Sequence, residues 1–323
     1  MRTILVTGAA GFIGSHVSEA LIRRGDRAIG LDVIDDYYDP AIKKGNLEEI
    51  ARAANGSRLW ELVAGDVRDG RMLQSLFASH KIDTIIHLGA RAGVRPSIAQ
   101  PLLYLDVNLI GTAVLLEEAV RAKVPHFVLA STSSVYGDTK TIPFVESDPC
   151  DRPLAPYAAS KRAAEMLGYT FRNLHPISVT VLRFFTVYGP RNRPDMMAYR
   201  LLDSMFSERE VPLYGDGNMW RDWTFVDDVV EGVLAAADKP LGYEVLNLGR
   251  GEPIHLLDFV RRLEQLTGKR ARVRPEPRPE TDVERTWADV SKTQRLLGYA
   301  PRTSVDEGTA ALWRWFEQKG KAR

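Results

Sequence analysis

The chain has 323 residues, of which 45 % are hydrophobic and 26 % charged. This composition is typical of a soluble globular protein with a full core, arranged as one large domain or two ordinary ones. Its 43 basic and 42 acidic side chains give a formal net charge of +1, which argues against a binder of nucleic acid or of acidic membranes.

The N-terminus reads Met-Arg-Thr-Ile-Leu-Val-Thr-Gly, with no basic region followed by a long apolar stretch, so we do not expect a signal peptide. No apolar run is long enough to span a membrane. The single cysteine, Cys150, excludes an internal disulfide and a cysteine-based zinc site, and no two histidines stand at zinc-ligand spacing. We therefore predict a cytoplasmic protein without a metal site.

Short apolar strands alternate with helices through the first half of the chain. The predicted strands are Thr3–Thr7, Arg27–Asp32, Leu59–Ala64, Thr84–His87, His126–Ala130 and Ser178–Arg183. The predicted helices are about Phe12–Arg24, Ile42–Ala53, Arg71–Ser79, Leu105–Ala122 and Pro156–Leu174. This alternation predicts an α/β fold, a Rossmann-type doubly wound parallel sheet with its strands buried on both faces.

Prolines become frequent after residue 184, and the alternation weakens there. We therefore predict a nucleotide-binding domain of residues 1–184 together with about 224–250. A smaller C-terminal lobe, made of about 185–223 and 251–323, would lie over one edge of the sheet.

A glycine-rich turn over residues 8–14 follows the first strand and opens the first helix. Gly8 permits a tight turn, Gly11 lets the backbone approach a pyrophosphate, and Gly14 allows the helix to pack closely on the strand. The helix N-terminus then offers free N–H groups and a positive dipole to the phosphates. The alternative is a glycine-rich turn that binds nothing.

Asp32 ends the second predicted strand, within the same βαβ unit. A carboxylate at this position accepts both hydroxyls of the adenosine ribose and repels a 2′-phosphate. The turn, including Phe12 and Ile13, predicts a dinucleotide site. Asp32 predicts that this site prefers NAD to NADP.

Other cofactor contacts are predicted where the third and fourth strands end. Asp66 and Val67 follow strand three, where the acid could bind the adenine amino group or simply cap the next helix. Small residues in the segment Leu88 to Ala92, which includes Ala90, would let the backbone lie along the dinucleotide. Asn108 could point inward and brace this loop, or lie on the surface.

Tyr157 and Lys161 stand four residues apart at the start of a predicted helix, so their side chains share one face. An ammonium beside a phenol favours the phenolate and lowers its pKa, and an oxidised nicotinamide adds a second positive charge. Such a tyrosine can act as a general base near neutral pH. A surface pair is the alternative interpretation.

A run of hydroxyl side chains, Ser131 to Ser134, ends strand five at the sheet edge where ligands bind in such folds. Thr132, Ser133 and Ser134 are candidates to bind a substrate alcohol and relay its proton towards Tyr157. Some of these hydroxyls could instead cap the following turn.

Together these residues resemble the extended short-chain dehydrogenase/reductase family, over essentially the whole chain. The resemblance rests on the three glycines of the turn, Asp32, Thr132, Tyr157 and Lys161. It implies a tightly held NAD, a C-terminal lobe that binds a nucleoside diphosphate sugar, and a homodimer built on two long helices. It also implies that Arg221 contacts the diphosphate, as does Arg278, although the loop of Arg278 has one residue more than the family pattern.

Single residues narrow the resemblance further. Thr132 and Ser133 stand where the family's 4,6-dehydratases carry Asp-Glu, Ser134 stands where its uronate decarboxylases carry Glu, and Thr186 stands where its neutral-hexose epimerases carry Asn. The string from Gly189 to Met196 resembles the family's UDP-glucuronate 4-epimerases, as does the segment around Arg95. Arg193 and Thr186 would then bind the C6 carboxylate, since a guanidinium pairs bidentately with a carboxylate.

The activity that this resemblance implies is NAD-dependent 4-epimerisation of UDP-glucuronate to UDP-galacturonate through a 4-keto sugar. Decarboxylation of UDP-glucuronate and epimerisation of a neutral UDP-hexose are the alternatives.

Overall fold

The computed structural model describes residues 1–207 and 209–321. Its strands are β1 Thr3–Thr7, β2 Arg27–Asp32, β3 Trp60–Ala64, β4 Thr84–His87, β5 His126–Thr132, β6 Ser178–Phe184, β7 Thr186–Tyr188, β8 Val211–Tyr214, β9 Trp220–Arg221, β10 Trp223–Phe225, β11 Tyr243–Leu248, β12 Ile254–His255 and β13 Val273–Glu276. Its α-helices are α1 Phe12–Arg23, α2 Pro40–Ala54, α3 Gly70–Ser79, α4 Val94–Ala99, α5 Pro101–Leu105, α6 Gly111–Arg121, α7 Pro156–Leu174, α8 Met197–Phe206, α9 Val226–Asp238, α10 Leu256–Thr267, α11 Ser291–Leu297 and α12 Val305–Lys321.

Seven parallel strands form the central sheet, in the order β11-β6-β5-β4-β1-β2-β3. Alternate residues of a strand face opposite sides, so Ile4 and Val6 of β1 join one buried apolar cluster and Leu5 joins the other. Helices cover both faces, as strands with two buried faces require. The predicted Rossmann-type fold is confirmed.

The strand order reverses between β1 and β4, because the chain leaves β1 towards β2 on one side and returns to β4 on the other. In open parallel sheets, this reversal leaves a crevice outside the carboxyl ends of the strands. The glycine-rich turn and the ends of β2, β4 and β5 all lie at this crevice.

The prediction of one continuous helix over Leu105–Ala122 is wrong in detail. The segment consists of α5, a π-helical turn over Asp106–Ile110, and α6. A π turn inserts one extra residue and is often found at functional sites. Asn108 lies in this turn, is buried, and is bonded to both backbone groups of Arg91. The extra residue thus positions an amide that braces the loop after β4.

The later part of the chain contributes three two-stranded sheets, β7 with β10, β8 with β13, and β9 with β12. Strand β11 comes from the same part of the chain, yet it pairs with β6 at the edge of the central sheet. Within residues 1–207 and 209–321, no helix is both long enough and apolar enough to cross a membrane.

Candidate active site

A cavity of about 570 Å³ lies at the carboxyl ends of the central strands. The predicted site residues that line it are Gly8, Gly11, Phe12, Ile13, Gly14, Asp32, Asp66, Val67, Leu88, Ala90, Thr132, Ser133, Ser134, Tyr157, Lys161, Thr186 and Arg193. Four other predicted residues, Asn108, Arg95, Arg221 and Arg278, are not part of this lining.

The glycine-rich turn leaves no room for side chains at two of its three glycines. Gly8 has a φ of +70°, and a Cβ there would lie 2.8 Å from the backbone nitrogen of Gly89. A Cβ on Gly14 would lie 2.0 Å from the carbonyl oxygen of Gly8, so α1 packs directly on the turn. At Gly11 that oxygen, at 3.1 Å, is the single contact within 4 Å among the described residues. Gly11 therefore leaves open the space that a pyrophosphate needs next to the backbone.

Asp32 is 5 % exposed and belongs to a cluster of four charged groups on the cavity wall. Its Oδ2 accepts a hydrogen bond from the N–H of Ala10 at 3.0 Å, and its Oδ1 accepts one from Lys43 Nζ at 3.1 Å. Lys43 also bonds Asp35 at 2.7 Å, and Asp35 bonds Arg91 at 2.7 Å. Two acids and two bases thus face the cavity where the sequence predicted a single carboxylate.

Sequence reasoning missed Lys43 because it lies in the first turn of α2, and a lysine in a helix ordinarily faces water. It is 7 % exposed, and burial without its acidic partners would be costly.

Asp66 lines the cavity, but Arg68 occupies much of its carboxylate. The N–H and Nε of Arg68 both donate to Asp66 Oδ1, at 2.9 and 3.0 Å. The cap of α3 is Asp69, whose Oδ1 accepts the N–H of Met72 at 3.0 Å. The alternative interpretation of Asp66 as the helix cap is therefore wrong.

The catalytic candidates come together at the ends of β5 and α7. Tyr157 shares the cavity wall with Thr132, Ser133 and Ser134. Thr132 Oγ1 donates to Ser134 Oγ at 3.2 Å and accepts the N–H of Ser134 at 3.1 Å. Lys161 is 3 % exposed, and its Nζ donates to the carbonyl oxygen of Ala130 at 3.0 Å.

The electrostatics of this pair differ from the sequence expectation. Burial raises the pKa of Tyr157, and the charge of Arg193 and the hydroxyl of Thr132 only partly oppose this. Burial also lowers the pKa of Lys161 to about 8, against the attraction of Glu165. In the protein alone, burial therefore raises the pKa of Tyr157 above its ordinary value, and the predicted lowering by Lys161 stays a prediction. The low dielectric of the cavity outweighs the nearby positive charge.

A buried ion pair lies directly behind the catalytic candidates. Glu165 follows Lys161 by one helical turn and bonds Arg183 through both carboxylate oxygens, at 3.0 and 2.8 Å. Glu165 also accepts a hydrogen bond from Ser131 at 2.5 Å. These bonds connect α7 to the ends of β5 and β6. Strand β5 ends at Thr132, and Thr186 follows the end of β6.

Thr186 and Arg193 approach the cavity from the chain that follows β6. Thr186 begins β7, and its N–H donates to the carbonyl oxygen of Asp222 at 3.0 Å. Arg193 follows the turn at Gly189 and donates from Nε and Nη2 to Asp195, at 2.9 and 2.8 Å. The sequence did not single out Asp195 as a partner of this arginine.

The three remaining predicted arginines form a second group: Arg95 and Arg221 lie near Asp282, and Arg278 lies near Arg221 and 3.7 Å from Glu284. Arg95 lies over the ring of Tyr214 and donates to Asp282 at 2.6 Å. Burial, reinforced by the charges of Arg95 and Arg278, lowers the pKa of Arg221 to about 10. Like charges this close favour an anionic ligand among them. Within residues 1–207 and 209–321, no three His, Cys, Asp or Glu side chains are grouped to hold a metal ion.

The chain is similar over nearly its whole length to a known family and to characterised relatives. The family model described as GDP-mannose 4,6 dehydratase matches residues 5–312. A UDP-glucuronate 4-epimerase of Thermodesulfobacterium geofontis (strain OPF15) is 41 % identical over 319 residues, which cover 98 % of this chain and 97 % of the relative.

Solved structures resemble the whole chain. UDP-glucuronic acid 4-epimerase from Bacillus cereus, in complex with UDP-glucuronic acid and NAD, superposes with a TM-score of 0.90 at 34 % identity, covering 98 % of this chain and 100 % of that one. MoeE5 is 36 % identical, with a TM-score of 0.85 over 98 % of this chain and 99 % of its own. It was solved with NAD and either UDP-glucose or UDP-glucuronic acid.

Proposed function

Because the chain belongs to the extended short-chain dehydrogenase/reductase family, in the group described as GDP-mannose 4,6 dehydratase, we propose that it is an NAD-dependent UDP-glucuronate 4-epimerase. The single observation that carries this is that Tyr157, Thr132, Thr186 and Arg193 line one cavity. The full-length similarity to UDP-glucuronate 4-epimerases supports the same activity.

The glycine-rich turn and the charged cluster around Asp32 have the composition that a dinucleotide needs. Gly11 leaves space for a pyrophosphate, and Asp32, which is bonded to Lys43, is the carboxylate predicted to bind the adenosine ribose. Bound NAD would supply both an acceptor and a donor of hydride for C4 of the sugar, so that no external cofactor is consumed. Its positive charge would also lower the pKa of the buried Tyr157 phenol.

Tyr157 then acts as the general base that removes the proton of the 4-hydroxyl, with Thr132 relaying it. Lys161 stabilises the phenolate from within the same wall. The arginine cluster of Arg95, Arg221 and Arg278, in part supplied by the C-terminal lobe, holds the diphosphate. This anchoring leaves the 4-keto sugar free to turn over and present its other face to the same groups.

The C6 carboxylate distinguishes this substrate from neutral hexoses. Arg193 keeps its Nη1 without a hydrogen-bond partner among the described residues, so one bidentate edge of the guanidinium remains for a carboxylate. Thr186 adds a neutral donor. A 4-keto uronate is a β-keto acid, and a carboxylate held in a fixed orientation is restrained from leaving as carbon dioxide.

Proton NMR of a UDP-glucuronate incubation without added cofactor tests this function. We expect the H4 couplings of galacturonate to appear until an equilibrium mixture forms. An unchanged spectrum would contradict the proposal. Release of carbon dioxide with a UDP-pentose product would instead favour UDP-glucuronate decarboxylation. Turnover of UDP-glucose with none of UDP-glucuronate would favour a neutral UDP-hexose epimerase.

Protein stripped of cofactor is expected to bind NAD at least tenfold more tightly than NADP. A 2′-phosphate would meet the carboxylates of Asp32 and Asp35, and one extra charge about 5 Å away at a partly solvated site contributes roughly 1–2 kcal/mol. Lys43→Met removes a cation from this cluster and should increase the preference about tenfold further. The two dissociation constants can be measured by fluorescence titration. Equal affinity for the two cofactors in the wild-type protein would contradict the prediction.

A homodimer is also part of the proposal. α5, α6 and α7 pack side by side, and their neighbourhood carries large exposed apolar side chains, namely Ile98, Leu102, Ile110, Met166, Tyr169 and Leu174. Leu102 and Met166 are 78 % and 58 % exposed. Exposed apolar side chains gathered on neighbouring helices favour burial against a second copy.

We expect Leu102→Glu combined with Met166→Glu to convert a dimer into a monomer in sedimentation velocity, because each buried carboxylate would be unpaired. Leu266→Glu, on α10, is the matched control and should leave the mass unchanged. A wild-type monomer would refute the dimer. A cytoplasmic location stays a prediction of the sequence, which fractionation of expressing cells would test.

A further inference from the structure

The pairing of Arg193 with Asp195 follows from the local sequence. Pro194 separates the two residues and holds its own φ near −65°. The N–H of Met196 donates to the carbonyl oxygen of Arg193 at 3.2 Å, which closes a turn over these four residues. The turn brings a carboxylate two positions along the chain back against the guanidinium.

The contact is bidentate, with both oxygens of Asp195 bonded, and it uses the Nε and Nη2 edge of Arg193. Arg193 lines the cavity and Asp195 does not, so the carboxylate lies behind the guanidinium. Their side chains are 21 % and 39 % exposed. Although burial opposes it, hydrogen bonding to Arg193 keeps the pKa of Asp195 below its ordinary value, so the pair carries one charge of each sign at neutral pH.

Other charged groups near this part of the cavity are already paired. Asp35 is bonded to Lys43 and Arg91. Lys161 is the exception, since it donates to a neutral backbone carbonyl. While Asp195 is present, Arg193 therefore adds no net charge to the wall that faces the C6 end of the sugar. A lone arginine there would be left without a counter-charge whenever the sugar carried a hydroxymethyl group instead of a carboxylate, and such an unpaired charge is costly.

We propose that Asp195 sets the substrate range of this cavity: by compensating Arg193 from behind, it lets the site accept a neutral UDP-hexose as well as a UDP-uronate. Asp195 is a positioning and charge-compensating residue that acts through Arg193. The inference rests on the proposed function only in placing C6 of the sugar at Arg193. Removing the carboxylate should sharpen the preference for the uronate, because the free guanidinium then attracts a carboxylate and disfavours a neutral group.

Asp195→Asn tests this, since the amide keeps the shape and one acceptor but loses the charge. Calorimetry on the NAD-loaded protein would give dissociation constants for UDP-glucuronate, UDP-glucose and UDP. We expect the preference for UDP-glucuronate over UDP-glucose to rise about five- to twentyfold, the effect of one nearby charge at a partly exposed site. The affinity for UDP should change less than about twofold, because Asp195 lies away from the diphosphate. Asp203→Asn on α8 removes a charge of the same sign that is paired with Arg209, and should match the wild type.

An unchanged or reduced preference would overturn the proposal. An equal loss for all three ligands would also overturn it, since Asp195 would then only support the loop. The NMR assay keeps the two ideas separate. If the preference shifts but no galacturonate forms, the role of Asp195 stands and the epimerase function fails. If galacturonate forms but the substrate preference does not shift, the epimerase function stands and the role of Asp195 fails. A wild-type protein that binds neither sugar nucleotide would overturn both.

Discussion

Tyr157→Phe is expected to lower kcat by roughly 10²–10⁴-fold, the usual contribution of a positioned general acid or base. The ring lines the cavity beside Thr132, and the substitution removes only the phenol oxygen. Cofactor binding should stay nearly intact, because the glycine-rich turn and the Asp32 cluster are unaffected. Initial rates by NMR, together with the NAD content of the purified protein, measure the two effects.

Tyr169→Phe provides the matched control, since this tyrosine is on α7 but outside the cavity lining, is 57 % exposed, and keeps its ring on the proposed dimer surface. It should retain wild-type turnover. Near-normal activity of Tyr157→Phe would remove this residue from the mechanism. The wild-type rate should also fall as the pH is lowered through the pKa of Tyr157, because protonation of the phenolate abolishes the base; since burial raises this pKa, the fall should begin at a higher pH than for an exposed tyrosine. The Tyr157→Phe variant should lose that dependence.

Arg193→Ala is expected to reduce kcat/KM for UDP-glucuronate by about 10–150-fold. A charge-assisted bidentate contact contributes about 1.5–3 kcal/mol, and each 1.4 kcal/mol corresponds to a factor of ten. The loss should fall on UDP-glucuronate and largely spare UDP-glucose, which has no carboxylate to leave unpaired. If the same contact restrains decarboxylation, the variant should release some UDP-4-keto-pentose, detectable by mass spectrometry.

Asp195 complicates the single variant, because Arg193→Ala leaves this carboxylate without its partner. The double variant Arg193→Ala with Asp195→Asn removes both charges. Like Arg193→Ala, it should discriminate less between UDP-glucuronate and UDP-glucose. It should lack the added repulsion between the unpaired Asp195 carboxylate and the uronate. Equal losses on both substrates in the double variant would mean that Arg193 binds the shared diphosphate or supports the loop. The C6 carboxylate of UDP-glucuronate would then have to bind another residue.

The glycine-rich turn and the catalytic candidates show what a local sequence pattern can predict. Gly8, Gly11 and Gly14 act through backbone conformation and close approach, which depend on the residues themselves and on one strand–helix junction. Tyr157 and Lys161 share a helix face through spacing alone. The strand ends bring Thr132 to the same edge because parallel strands present their carboxyl ends together. These placements needed no knowledge of distant contacts.

Local sequence pattern does not predict which charged groups pair with one another. Lys43 is eleven residues from Asp32 along the chain, and the two meet because α2 packs beside the end of β2. The pKa of Tyr157 depends on how deeply the cavity buries it, and this overrides the charges nearby. The four predicted arginines divide between the cavity wall, which holds Arg193, and the group near Asp282, and this division likewise depends on loops that fold over the sheet.

By itself, then, the sequence determined the parallel sheet, the glycine turn and the identity of the catalytic candidates, because each depends on periodicity or on neighbours within a few residues. The tertiary structure alone decided that Asp32 is bonded to Lys43, that a π turn inserts Asn108 under the loop after β4, and which arginines face the cavity. Such contacts join segments far apart in the chain, and their energies depend on burial, which only the packed structure defines.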